Sequence, residues 1–243
     1  MREALRARRR RLHRLRLRAR EGRPASTELA DLAARAREAG VPAEELAPAE
    51  FDRAAPRGVL HQGVLLEVGP LPQPSLAGLV PPAPEPCWLL ALDGVEDPQN
   101  LGALVRVADA AGLRGVVVPE HGSAPLSPAV ARASAGALEH VPVARVSNLA
   151  RSLNHLKSQG FWIHGADPAG VLELFTAPAR LFDPRMVLVL GAEGRGLRPG
   201  VRRAIDSIFR IPMHGAVASL NVGTAAAVFL FEWRRRAAAS QLP

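Results

Sequence analysis

Residues 88–118 read WLLALDGVEDPQNLGALVRVADAAGLRGVVV, and this stretch decides the fold. Trp88 to Leu92 is a continuous apolar run, which suits a strand buried on both faces rather than a half-exposed strand with alternating polar residues. Asp97 and Pro98 form a natural helix start, so a helix is expected over Asn100–Ala111. Gly115 to Val118 is a second apolar run of strand length. A strand, a helix and another buried strand make the repeating unit of a parallel sheet covered on both sides.

Toward the C-terminus the same alternation continues. Ser127 as cap and Pro128 in the first turn begin a helix, and Val141–Val146 reads as a strand. The next helix places Leu149, Leu153 and Leu156 on one face, and Phe161–Ala166 and Met186–Leu190 follow as strands. The expected fold class is therefore α/β, a parallel sheet with helices on both faces, whose ligands bind at loops beyond the carboxyl ends of the strands. Toward the N-terminus, Gly69 to Pro86 contains seven prolines and no charge before Glu85, which predicts an extended, semi-stiff linker. That places a small α/β domain at 1–68, a linker at 69–86 and the larger domain at 87–243. In the small domain a short helical start leads to Leu12, Leu15 and Leu17 among arginines, the last two alternating as in a half-exposed strand. Ser26 can cap a helix bearing Leu29, Leu32, Ala33 and Ala36 that ends at Gly40, and Gly63–Val68 reads as another strand.

Composition narrows the function classes. With 243 residues, 48% of them hydrophobic, the chain can bury a substantial core. Its one cysteine, Cys87, excludes an intramolecular disulfide and a thiolate metal cluster and suits a reducing cytoplasm. The longest apolar candidate for a membrane span, Ala216 to Phe231, is interrupted by Ser219, Asn221, Gly223 and Thr224, so a cytoplasmic protein with no membrane partner is expected. The net charge of +8 is local: residues 1–23 hold eleven arginines against Glu3 and Glu21, and the remainder is nearly neutral. Arg9, Arg10, Arg11, Arg14 and Arg16 are the candidates for phosphate contacts with a nucleic acid, since the guanidinium fork matches phosphate oxygens. A solvated basic face is the plain alternative. A transit peptide is disfavoured by Glu3 and by the lack of Ser or Thr before Ser26.

Three loops carry polar and glycine residues after expected strands. The first, Leu92 to Arg106, contains Asn100 and Arg106 six residues apart, too far round a helix to share a face by i, i+4 spacing. It reads equally as a capping turn followed by a surface arginine. In the second, Gly191-Ala192-Glu193-Gly194-Arg195-Gly196-Leu197, the glycines allow backbone to approach a ligand closely. Its spacing is not that of a dinucleotide fingerprint, which leaves a nucleotide-dependent oxidoreductase remote. The third, Ile211-Pro212-Met213-His214-Gly215-Ala216-Val217-Ala218-Ser219-Leu220-Asn221-Val222, leads into an apolar helix for which Ser219 and Asn221 are good caps.

Taken together, these three segments resemble the SpoU/TrmH family of RNA ribose 2′-O-methyltransferases over about Leu89 to Arg236. Within it they are most similar to the branch acting on a guanosine in the peptidyl-transferase region of bacterial 23S ribosomal RNA. His61-Gln62-Gly63-Val64 resembles the end of that branch's ribosomal-protein-like RNA-binding domain. The resemblance implies a C-terminal trefoil knot and S-adenosylmethionine held, largely by backbone, at Gly191, Gly194, Ile211, Met213, Ser219 and Leu220. It implies Arg106 as the catalytic residue, oriented together with the ribose by Asn100, Glu193, Ser219 and Asn221. Arginine is effectively always protonated, which favours Arg106 as a stabiliser of the forming alkoxide or a clamp on the adjacent phosphate rather than a base. It further implies a homodimer with the site near the interface, where the small Ala225, Ala226 and Ala227 would allow close helix approach, and no metal. Members begin with a strand and a glycine before the segment matching Arg2-Glu3-Ala4-Leu5, so the small sheet is expected to lack its first strand. Transfer RNA as substrate, or a non-catalytic ribosome-assembly role, are the alternatives.

Overall fold

The computed structural model describes residues 1–19, 26–56, 61–182 and 184–239. The chain divides into two units, Met1–Pro72 and Gln73–Pro243. The smaller contains α1 (Arg2–Ala7), β1 (Leu12–Arg18), α2 (Thr27–Glu38), β2 (Ala43–Leu46), α3 (Pro48–Ala54) and β3 (Val64–Val68). Its three strands run in the order β2-β1-β3, with β2 parallel and β3 antiparallel to β1. Alternation along β1 sends Leu15 and Leu17 into a core with Leu5, Leu29, Leu32, Ala36 and Val64, and leaves Arg14 and Arg16 outside it. Ser26 occupies the N-cap position of α2, yet its side chain makes no capping bond. The buried stripe of Leu29, Leu32, Ala33 and Ala36 therefore holds that helix in place. The strand β2, Ala-Glu-Glu-Leu, has no apolar alternation to betray it. Pairing with the central strand decides its conformation.

The larger unit begins with α4 (Leu76–Leu79), β4 (Cys87–Asp93), α5 (Pro98–Ala110), β5 (Gly115–Pro119), α6 (Pro128–Ala133), β6 (Val143–Val146), α7 (Leu149–Ser158) and β7 (Trp162–Ala166). It continues through β8 (Leu172–Glu173), β9 (Arg185–Gly191), α8 (Pro199–Arg202), β10 (Ser207–Arg210) and α9 (Val222–Ala239). Seven parallel strands lie in the order β6-β5-β4-β9-β7-β10-β8. Leu89, Ala91, Val187 and Val189 face one side, against Leu149, Leu153 and Leu156 of α7. On the other side α5 and α9 pack together, and Trp88 meets Trp233 of α9 edge-on with ring centres 6.0 Å apart.

Part of the proline-rich stretch is packed rather than extended. Leu79 is buried in the core of the larger unit. Arg185 stacks its guanidinium 4.4 Å from the centre of the Phe161 ring and donates to the carbonyls of Pro81 and Glu85. These carbonyls lie outside the strands, and a buried arginine with several donors satisfies them. From β4 the chain winds outward through β5 and β6, then returns to build β7, β9, β10 and β8 on the other side. The order of winding reverses between β4 and β9, and a crevice opens beyond the carboxyl ends of strands at such a reversal.

Candidate functional site

Both strands at that reversal end in the loops singled out by sequence. β4 ends at Asp93, whose side chain is fully buried. Its Oδ2 accepts the backbone N–H of Arg198 at 2.8 Å and its Oδ1 accepts Arg198 Nε at 2.6 Å. One carboxylate thus ties the first loop to the far end of the second. Sequence reading missed this pair because the two residues lie in separate motifs and neither is a catalytic type by position.

Between these anchors the chain from Gly191 to Leu197 folds back on itself through a bridge between Ala192 and Gly196. Gly194 and Gly196 adopt φ of 79° and 65°, which L side chains rarely tolerate. A Cβ on Gly191 would lie 2.3 Å from the carbonyl carbon of Gly196, so only glycine fits there. The returning backbone walls a cavity of about 670 Å³. Gly191, Gly194, Ile211, Met213, Ser219 and Leu220, the residues expected around a cofactor, all line it.

At the mouth of this cavity Asn221 joins the three loops. Its Nδ2 donates to Asn100 Oδ1 at 3.0 Å and to Glu193 Oε1 at 2.8 Å, and its Oδ1 accepts the N–H of Gly223 at 2.9 Å. The last bond caps α9; the other two bind α5 and the glycine loop. Glu193 also accepts the N–H of Val222, at 3.5 Å. Beyond this cluster lies a second cavity of about 370 Å³, walled in part by Asn100, Glu96, Arg195 and Arg198. Glu193, Arg195 and Val222 line both cavities.

Arg106 is not brought into this cluster. It is exposed on α5 and lines neither cavity. Six residues beyond Asn100 carry it about 9 Å along the helix and about 240° around it. Ser219 lines the first cavity without a hydrogen bond to Asn100, Glu193 or Asn221 among those of the described residues. In the smaller unit, two of the five arginines expected to meet phosphate form ion pairs with glutamates. Arg14 and Arg16 pair with Glu44 at 3.3 and 2.9 Å, and Arg16 also lies 3.5 Å from Glu67. The Arg16 hydrogen bond, ahead of that from Arg14, holds the Glu44 carboxyl below its ordinary value. Arg10 reaches the carbonyl of Gly69 at 3.4 Å, Arg9 is half-buried, and Arg11 is exposed. Among the described residues no group of three or more His, Cys, Asp or Glu could hold a metal, and no helix is long and apolar enough to cross a membrane.

Comparison with known proteins adds a second line of evidence. A family model described as the SpoU rRNA Methylase family matches residues 88–231, and one described as RNA 2′-O ribose methyltransferase substrate binding matches residues 1–74. The 23S rRNA (guanosine-2′-O-)-methyltransferase RlmB of Vibrio vulnificus is 41% identical over 205 residues, covering 83% of this chain and 81% of that protein. A putative RNA methyltransferase of the TrmH family from Porphyromonas gingivalis superposes with a TM-score of 0.74 at 32% identity, over 96% of this chain and 86% of the other. An AdoMet-bound rRNA methyltransferase from Sinorhizobium meliloti gives 0.75 at 25% identity, over 100% and 86%.

Proposed function

Because the chain belongs to the SpoU rRNA methylase family, we propose that it transfers the methyl group of S-adenosylmethionine to the ribose 2′-hydroxyl of a guanosine in 23S ribosomal RNA. The observation that carries this reading is the Asn221 junction, which sets Asn100 and Glu193 between a cavity floored by glycine backbone and a second cavity of about 370 Å³. The guanosine and the ribosomal target rest on the similarity to the Vibrio vulnificus methyltransferase. The cytoplasm, where ribosomal RNA is modified, is part of the same proposal.

The first cavity suits the cofactor in size and chemistry. Its volume of about 670 Å³ falls in the range of small-molecule sites, and Met213, Leu220 and Phe229 supply apolar surface for an adenine and the aliphatic part of the methionyl chain. Gly191 leaves the backbone bare on one wall, where a Cβ would collide with the returning loop. When bound, S-adenosylmethionine supplies an electrophilic methyl group on a positively charged sulfur. Gly191, Gly194, Ile211, Met213, Ser219 and Leu220 are the residues that would hold it.

The remaining work falls to the residues of the junction. A ribose placed there meets the Asn100 amide and the Glu193 carboxylate, which fix its orientation, and alignment of the 2′ oxygen supplies much of the rate. Arg106 carries a permanent positive charge and is suited to stabilise the developing alkoxide or hold the neighbouring phosphate. Its place outside both cavities fits a homodimer in which each arginine serves the site of the other subunit. The C-terminal loops threaded as a trefoil knot, as in the family, belong to the same reading. Arg11 and the other arginines of the N-terminal cluster would track the RNA backbone.

The test is incubation of the full chain with labelled S-adenosylmethionine and, separately, ribosomal RNA and transfer RNA, with mapping of the labelled nucleotide. Label on a guanosine ribose of 23S RNA is expected. Label confined to transfer RNA overturns the substrate, and no label in either, with cofactor bound, overturns the activity.

A further inference from the structure

We infer that the second cavity reads the base of the target nucleotide, with the Glu96 carboxylate accepting from guanine N1–H and N2–H and the Arg195 guanidinium donating to its O6 and N7. The inference rests on the guanosine-methylating function proposed above and adds the residues that choose the base.

The charged side chains of this cavity are of two kinds. Asp93 and Arg198 neutralise each other, Asp97 caps α5 by accepting the N–H of Gln99 at 3.0 Å, and Glu193 is held by Asn221. Glu96 and Arg195 remain. Both line the cavity, and neither makes a hydrogen bond or ion pair among the described residues. The Glu96 Oε1 lies 3.7 Å from the position a Cβ on Gly122 would take, which sets the carboxylate beside that glycine on the cavity wall. An unpaired carboxylate and an unpaired guanidinium on one small cavity form a complementary pair of hydrogen-bonding edges.

Guanine matches that pair better than the other bases. Its Watson–Crick edge offers two parallel donors, N1–H and N2–H, to a carboxylate, and its O6 and N7 are the usual acceptors for arginine. Adenine offers a lone pair at N1 that a carboxylate repels. Uracil offers one donor flanked by two carbonyls. Placement agrees with the chemistry: Glu193 and Val222 wall both cavities, so a ribose held at the Asn100–Asn221–Glu193 junction has the first cavity on one side and the second on the other.

The experiment uses the full chain and an RNA fragment spanning the mapped target, synthesised with guanosine, inosine or adenosine at that position. Inosine keeps N1–H and lacks the N2 amino group. Wild type should favour guanosine over inosine by roughly 10-fold and over adenosine by roughly 100-fold in kcat/KM, the scale of one good base contact. Glu96→Gln and Glu96→Ala should lose at least roughly 10-fold on guanosine and less on inosine, which offers Glu96 only N1–H, so that the preference for guanosine over inosine shrinks, and should bind S-adenosylmethionine with unchanged Kd by calorimetry. Arg195→Ala should lower the rate on guanosine and inosine alike, since both carry O6 and N7. Equal rates for guanosine and inosine in wild type, or an intact guanosine preference in both Glu96 variants, overturns the base-reading role alone. Wild-type label on another nucleoside, or none, overturns the parent function and this inference with it.

Discussion

Replacing Asp93 with alanine should cost the larger unit about 3 kcal/mol and loosen the glycine loop. The carboxylate is fully buried and accepts two hydrogen bonds from Arg198, one from the backbone at 2.8 Å and one from Nε at 2.6 Å. Hydrogen bonds to a charged acceptor contribute about 1.5–3 kcal/mol each. The Arg198 side chain is 55% exposed, so water replaces much of the second bond and its share falls to about 1 kcal/mol. The backbone N–H is less accessible and retains about 2 kcal/mol. For a unit of this size, each kcal/mol corresponds to about 2–4 °C, so Tm should fall by about 6–12 °C. The same bonds fix the end of the loop that walls the cofactor cavity. If the loosened loop must be re-ordered on binding, the Kd for S-adenosylmethionine should rise by up to roughly 100-fold. Asp93→Asn keeps the volume and one acceptor oxygen and should show about half of each effect. Calorimetric melting and titration with S-adenosylmethionine give both numbers. An alanine variant with wild-type Tm and wild-type Kd would refute the claim that this carboxylate holds the two loops together.

Three further substitutions or measurements separate roles within the site and the core. Asn221→Ala should lower methyl transfer by at least 100-fold with a modest loss of Tm, because it frees Asn100 and Glu193 while costing only one helix cap of about 1 kcal/mol; single-turnover transfer beside a melting curve reads both. Arg106→Ala should abolish transfer and leave cofactor affinity within about twofold by calorimetry, since Arg106 lines neither cavity. Mixing it with an inactive Asn221→Ala chain should restore part of the activity if the arginine serves the other subunit. Cys87 is the only cysteine, and burial pushes its thiol up to about 11. A thiol reagent at pH 8 should therefore react only as the larger unit unfolds. Because the folded value lies above the unfolded one, the stability difference is fully present below about pH 9 and is lost as pH rises toward 11, a trend that Cys87→Ala should remove.

The parallel sheet was legible because its central strands are apolar on both faces: Trp88 to Leu92 and Met186 to Leu190 have no polar residue to suggest a solvent side. Helix α7 was legible from Leu149, Leu153 and Leu156, all buried as their spacing predicts. The strands that escaped reading are short and stand on pairing alone. Ser207–Arg210 has two apolar residues and lies between two other strands, and Ala43–Leu46 carries two glutamates, of which Glu44 pairs with Arg14 and Arg16 of β1. The proline-rich stretch misled for a related reason. Composition describes the chain before packing, and Leu79 and Arg185 supply the packing.

The site was legible in its parts and not in its connections. Asn100, Glu193 and Asn221 stand 93 and 28 positions apart in the chain, and no periodicity links residues on three separate loops. What links them is the reversal of winding between β4 and β9, which sets the ends of those strands side by side, with Asp93 opposite Gly191 in the ladder. The register is decisive: Asp93 is then placed to reach Arg198 beyond the glycine loop, and the loop is held where Glu193 meets Asn221. Arg106 follows the opposite logic. Its position is fixed by the helix that carries Asn100, so no rearrangement of loops brings both to one point on the same chain. Under the proposed function a second chain or the RNA itself would close that distance, so the mixing experiment with Arg106→Ala reads assembly as well as chemistry.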